Sequence, residues 1–197
     1  KYDVDLVAVA TTCLTETIGD DVGRYLFEFR EEFADLPLPE LVHVATPSYS
    51  GTHMEGWHAA VRSLADQVVK EKGTPHGGVN LLPGFLSPAD YRFLRSLGER
   101  AGVRFTMLPD LSRTMDGVIW DDYHSLPDGG TPVAEIRAMG GAAGTIEFGM
   151  SGGLAESASG VLERKFGVPA RKTMIPIGLR ATDAFMEAVK KGTSYEI

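Results

Sequence analysis

The chain has 197 residues, of which 43% are hydrophobic and 23% charged, with a formal net charge of −8 at pH 7. This is an ordinary globular composition, with apolar content for one substantial core or two small ones. The acidic excess without a basic stripe argues against nucleic acid as a partner, and no apolar run reaches membrane-spanning length.

Apolar, β-branched runs alternate with stretches of helical period. Leu6 to Ala10 reads as the first strand and ends in a polar, Gly-containing turn holding Cys13. Val22, Leu26, Phe29 and Phe33 recur as the stripe of an amphipathic helix. Leu41 to Ala45 reads as a second strand, and Trp57, Ala60, Val61, Leu64 and Val68 as a second helical stripe closed near Gly73. Val79 to Leu82 is a third strand. Ser87-Pro88-Ala89-Asp90 then starts a helix, with an N-cap serine, proline at the first position and an acid at the third.

That helix stops at Gly102, and Arg104 to Leu108 is a fourth strand. Pro109 to Gly130 is irregular, rich in Asp, Gly and Pro. A short helix runs from Thr131-Pro132 through Met139, a fifth strand from Thr145 to Phe148, and a helix from Ala155 to Phe166. Lys172 to Ile177 is read as the sixth strand, and Thr182 as the cap of a last helix through Val189. Strand-then-helix repeated about six times predicts an α/β fold, a Rossmann-like parallel sheet with helices on both faces. The chain opens on Lys1 almost directly into a strand and closes without a terminal element. It is expected to be an internal segment of a longer chain, about one Rossmann-like domain plus part of a neighbour.

Ligands of open α/β sheets gather beyond the carboxyl ends of strands, which is where Cys13 falls. A single cysteine excludes an internal disulfide and fits a reducing, cytoplasmic compartment. Beside a helix start its thiolate would be favoured for binding metal or attacking an electrophile, although a lone cysteine is most often a small buried apolar residue. After the second strand comes Thr46-Pro47-Ser48-Tyr49-Ser50-Gly51-Thr52-His53, whose hydroxyls, amides and imidazole could cradle an anion or a metal-bound species. The plainer reading makes Ser50 or Thr52 a helix cap.

Asp110 and Asp116 could be paired carboxylates, but nothing nearby offers a partner for acid–base work, and turn chemistry is the favoured explanation. Glu16, Asp20 and Asp21 could hold a divalent cation, or simply suit the start of a helix. Gly149-Met150-Ser151-Gly152-Gly153 lacks the lysine of a phosphate loop, and His43, His58, His76 and His124 show no zinc spacing. Trp57 and Trp120 read as core or interface. One thiolate cannot hold an iron–sulfur cluster alone; if Cys13 is a ligand, the others lie outside this segment or on another chain.

Ala10-Thr11-Thr12-Cys13-Leu14-Thr15-Glu16-Thr17-Ile18-Gly19-Asp20-Asp21, followed by Thr46-Pro47-Ser48-Tyr49-Ser50-Gly51-Thr52-His53, resembles the β-type subunits of nitrogenase component 1. Asn80-Leu81-Leu82-Pro83-Gly84, Gly129-Gly130-Thr131 and Ile175-Pro176-Ile177-Gly178-Leu179 are consistent with it. The resemblance implies a chain of three Rossmann-like domains, an α-type partner subunit in a heterotetramer, and an iron-protein reductase. It implies that Cys13 ligates an iron–sulfur cluster and that Ser48 can join it when the cluster is oxidised. The remaining ligands would come from upstream of Lys1 and from the α-type chain, so the isolated segment is expected to hold no cluster.

Leu108-Pro109-Asp110-Leu111-Ser112-Arg113-Thr114-Met115-Asp116-Gly117 looks more like the subunit that scaffolds iron–molybdenum cofactor biosynthesis, which is the expected role. Cys13 with Ser48 leans toward the alternative, the β chain of the catalytic molybdenum–iron protein. Readings of other classes are a free-standing α/β enzyme with Cys13 as nucleophile and a purely structural interaction domain.

Overall fold

The computed structural model describes residues 4–115, 129–149 and 157–193. The features read from sequence at Asp116, Trp120, His124 and 150–156 lie outside them. Among the described residues the elements run β1 (Leu6–Thr11), α1 (Cys13–Ile18), α2 (Val22–Glu32), β2 (Glu40–Ala45), α3 (His53–Val68), β3 (Val79–Leu82) and α4 (Pro88–Arg100). They continue with β4 (Phe105–Met107), α5 (Val133–Ala138), a 3-10 turn (Met139–Gly141), β5 (Gly144–Phe148), α6 (Ala158–Phe166), β6 (Ala170–Thr173) and α7 (Leu179–Thr193). Every pairing is parallel, and the α/β class holds.

The strands form two sheets where the alternation suggested one. β1 pairs with β2, Leu6 opposite Glu40 through Thr11 opposite Ala45, and the other four strands are ordered β4-β3-β5-β6. The side chain of Gln67, on α3, takes the place a third strand would have beside β2. Its carboxamide oxygen accepts from His43 N at 3.0 Å and its nitrogen donates to His43 O at 2.7 Å. Alternation of strands and helices specifies parallelism, but not which strands become neighbours.

The four-stranded sheet is covered on both faces. Val79, Leu81, Ile146 and Phe148 pack under α4 and α7 with Tyr91, Leu94, Phe185 and Val189. The opposite face meets α3, α5 and α6 through Leu82, Val61, Ala65, Val68, Ile136 and Leu162, a core that also takes in Val42 and Val44 of β2. α3 therefore joins the small sheet to the large one. The 3-10 turn lies so close to the segment after α3 that a Cβ on Gly141 would run into the Thr74 carbonyl.

Four boundaries depart from the sequence reading; one is α7, which starts at Leu179, so that Thr182, read as its cap, lies inside the helix. β6 is Ala170-Arg171-Lys172-Thr173, and the expected strand residues 174–177 lie beyond it, with Met174, Ile175 and Ile177 exposed. An edge strand tolerates charge, while Pro176 cannot donate to a ladder. α3 stops at Val68, ahead of Gly73. Cys13 is the first residue of a separate short helix, which Gly19 closes in the left-handed conformation at φ 78°.

Candidate functional site

β1 and β2 end side by side, and their ends are stitched together. Both the amide and the hydroxyl of Thr46 donate to the Thr11 carbonyl, at 2.9 and 3.1 Å. Beyond this stitch the chain after β1 turns through Thr12 into α1, and the chain after β2 turns through Pro47 into the loop before α3. The two residues named from sequence, 35 positions apart, thereby meet: Cys13 Sγ lies 2.7 Å from Ser48 Oγ, and the Ser48 amide donates to the same sulfur at 3.1 Å. Hydrogen bonding from the Ser48 hydroxyl, then from its amide, outweighs the opposing effect of burial and holds the thiol below its ordinary pKa. The thiol is half-exposed. Its surroundings are apolar and open, with Leu14 73%, Ile18 63% and Tyr49 64% exposed.

Two other acids of this region, Asp21 and Glu16, have local employment. Asp21 caps α2, accepting from Arg24 N at 2.9 Å, and Glu16 accepts from the Thr11 hydroxyl, which also lies 3.0 Å from His43 Nε2. Thr52 is the N-cap of α3, where Glu55 accepts from the Thr52 amide at 2.6 Å, and His53 is exposed on the first turn. The capping reading therefore describes Thr52 and His53. Asp110 is buried and ion-paired with Arg95 of α4, and its Oδ1 accepts from Ser112 N at 3.0 Å. Its partner lies 15 residues upstream, which spacing could not reveal.

Sequence reasoning passed over Glu147, 3% exposed on β5, which accepts from the amide and hydroxyl of Ser159 at the start of α6 (3.1 and 2.5 Å). An acid between Ile146 and Phe148 in a short buried strand was the available signal. A cleft of about 850 Å³ also opens near the amino ends of β3 and β4. Cationic side chains lining it are already paired, Lys70 and Arg137 with Glu40 and Arg104 with Glu135.

Among the described residues no group of three or more His, Cys, Asp or Glu side chains could hold a metal ion. The Cys13–Ser48 pair offers one thiol and one hydroxyl side by side at a surface. That donor set fits a share of a cluster completed from elsewhere, and it does not fit a complete site. No helix among the described residues is long and apolar enough to cross a membrane.

Comparison with known proteins agrees with this architecture. The family model for nitrogenase component 1 type oxidoreductases matches residues 1–197. The nitrogenase molybdenum-iron protein beta chain of Clostridium pasteurianum is 34% identical over 197 residues, covering 100% of this chain and 42% of that protein. The nitrogenase iron-molybdenum cofactor biosynthesis protein NifN of Bradyrhizobium diazoefficiens is 37% identical over 187 residues, covering 92% and 39%. The solved structure of nitrogenase Cp1 at pH 6.5 superposes with a TM-score of 0.87 at 34% identity, over 100% of this chain and 42% of that one. The chain thus spans about 42% of the length of such relatives. Two parallel sheets flanked by helices and a family match along the whole chain make it a member of the nitrogenase component 1 type oxidoreductase family.

Proposed function

We propose that this chain is part of a β-type subunit of a nitrogenase-like complex in nitrogen fixation, and that Cys13, assisted by Ser48, is its share of an iron–sulfur cluster at the interface with an α-type subunit. The observation that carries the reading is the convergence of Cys13 and Ser48 at 2.7 Å on an exposed apolar surface. A cluster bound there would supply one-electron relay chemistry. The Ser48 hydroxyl and amide stabilise the Cys13 thiolate needed for ligation, and the hydroxyl proton is the one Ser48 must release to become a ligand itself. Leu14, Ile18 and Tyr49 give a partner subunit an apolar rim with which to exclude water.

Within the family the reading is the scaffold for iron–molybdenum cofactor biosynthesis, supported by the run from Leu108 to Gly117 and by 37% identity to the NifN protein. The catalytic β chain is the second reading, favoured by the Cys13–Ser48 contact itself. The test uses the full-length protein purified anaerobically with its α-type partner. Cys13→Ala should lower bound iron and alter the cluster's spectroscopic signal; unchanged iron and signal would sink the assignment. With a cognate reductase and ATP, robust dinitrogen reduction would make the parent the catalytic chain. Bound iron with negligible reduction, plus transfer of a cofactor precursor to the apo catalytic protein, would make it the scaffold.

A further inference from the structure

α1, which carries Cys13, has little to hold it in place. It is six residues long, none of them buried, and its N-cap side chain makes no capping hydrogen bond. A helix of that length is not stable by itself in water. Besides the contact of Cys13 with Ser48, it is held through the hydroxyl of Thr11, the last residue of β1, which is only 4% exposed. That hydroxyl bonds Glu16 on α1, lies 3.0 Å from His43 Nε2 on β2, and sits at a longer 3.3 Å from the Val44 carbonyl.

A threonine hydroxyl has a single hydrogen to donate, and a carboxylate can only accept. The Thr11 hydrogen therefore goes to Glu16, and His43 donates to Thr11 from Nε2, which fixes its tautomer. The chain of bonds has one direction, from His43 through Thr11 to Glu16, and ends on a charged acceptor, where hydrogen bonds are strongest. His43 is itself immobilised at both backbone groups by Gln67 of α3.

We propose that Glu16, Thr11 and His43 form a tether that orients α1 from the α3–β2 frame and thereby holds the Cys13 sulfur against Ser48. They are positioning residues, and the consequence for a bound cluster rests on the function proposed above. Glu16 lies one turn along α1 from Cys13, so rotation of the helix on release of Glu16 moves the sulfur relative to the 46–49 loop.

The experiment again uses the full-length protein with its α-type partner, purified anaerobically. Thr11→Val deletes the junction hydroxyl with little change of shape, and Thr11→Ser restores it. The expected result is that Thr11→Val keeps its iron, shifts the midpoint potential and the paramagnetic line shape of the oxidised cluster, and that Thr11→Ser returns both. An unchanged potential and line shape in Thr11→Val would overturn the tether. Glu16→Ala, which cuts the other end, is read in the same way should Thr11→Val not assemble. If Cys13→Ala leaves iron and signal untouched, the cluster reading itself has failed. The tether is then read on the thiol: a severalfold change in the alkylation rate of Cys13 in Thr11→Val, reversed in Thr11→Ser, supports it, and equal rates overturn it.

Discussion

The four-stranded sheet and the β1–β2 pair arise from the same strand–helix alternation, yet one is enclosed and the other leaves much of β1 open to solvent. In the large sheet several polar groups are buried with partners: the Asn80 amide nitrogen donates to the Met139 carbonyl at 2.9 Å and to Thr145 at 3.1 Å, and Glu147 is held by Ser159, while Asn80 Oδ1 and Thr173 Oγ1 are buried without one. In the small sheet the strand ends are bonded to each other, while the side chains beyond them face outward. Stability is concentrated in the first region and the candidate chemistry in the second, a division expected when a rigid scaffold presents functional groups on its loops.

The sharpest test of that division is Phe185→Ala. Phe185 is fully buried, its ring 5.4 Å from that of Phe148 and 6.2 Å from that of Phe105. Truncation should cost about 3–5 kcal/mol in denaturant unfolding, and a loss below about 1 kcal/mol would show that this core is not where stability resides.

A smaller effect is expected at Glu40, which links β2 to Arg137 of α5 and to Lys70 (2.6 and 2.9 Å). Burial pushes its carboxyl up, but the hydrogen bonds and charges of Arg137 and Lys70 together hold it below the usual carboxylate range. A depressed folded-state pKa means the contribution is complete above the unfolded value, about 4.3 for a glutamate, and is lost as pH falls through the lower folded value. Glu40→Gln should therefore cost under about 1 kcal/mol near neutrality, with the difference from wild type vanishing on acidification. A difference that instead grew toward low pH would contradict the sign.

The smallest effect on folding belongs to the rim. Leu14→Ser with Ile18→Ser should leave unfolding within about 0.5 kcal/mol while weakening co-purification with an α-type subunit. Large destabilisation of the chain, or undiminished association, would break the comparison from the other side.

How far the sequence could be read follows the same division. β3 was legible to the residue because Val79, Leu81 and Leu82 make a short, largely apolar run bounded by turn signals at Gly77-Gly78 and Pro83-Gly84. The Ser87-Pro88-Ala89-Asp90 start of α4 was legible because capping is local chemistry, and Asp90 does accept from the Ser87 amide (3.2 Å). β6 was misplaced because Met174 to Ile177 is more apolar than Ala170 to Thr173, and apolarity marks burial, not position in a sheet. The split into two sheets was illegible because alternation does not specify which strands become neighbours, and the Gln67 side chain that occupies the His43 backbone beside β2 comes from 24 residues away.

At the site, Cys13 and Ser48 were identified by resemblance to a family, and strand-end placement explained why a thiol there would be useful. Their contact could not be read from either segment alone, since it requires β1 and β2 to be in register. The network from His43 through Thr11 to Glu16 was hidden for a similar reason: its members belong to a strand end, a strand middle and a helix whose separate existence was not foreseen.

The edges of the two sheets carry one more consequence. β6 presents Arg171 and Lys172, and charge of this kind on an outer strand discourages a stray extended chain from adding to the ladder. β1 runs Leu-Val-Ala-Val-Ala-Thr and, among the described residues, pairs on one side only. Its free edge carries neither charge nor proline. Of these two outer strands β6 is protected against fibre-like growth and β1 is open to it, and β1 offers six residues where the uncharged outer strand β4 offers three, so self-association of the isolated chain is expected along Leu6 to Ala10.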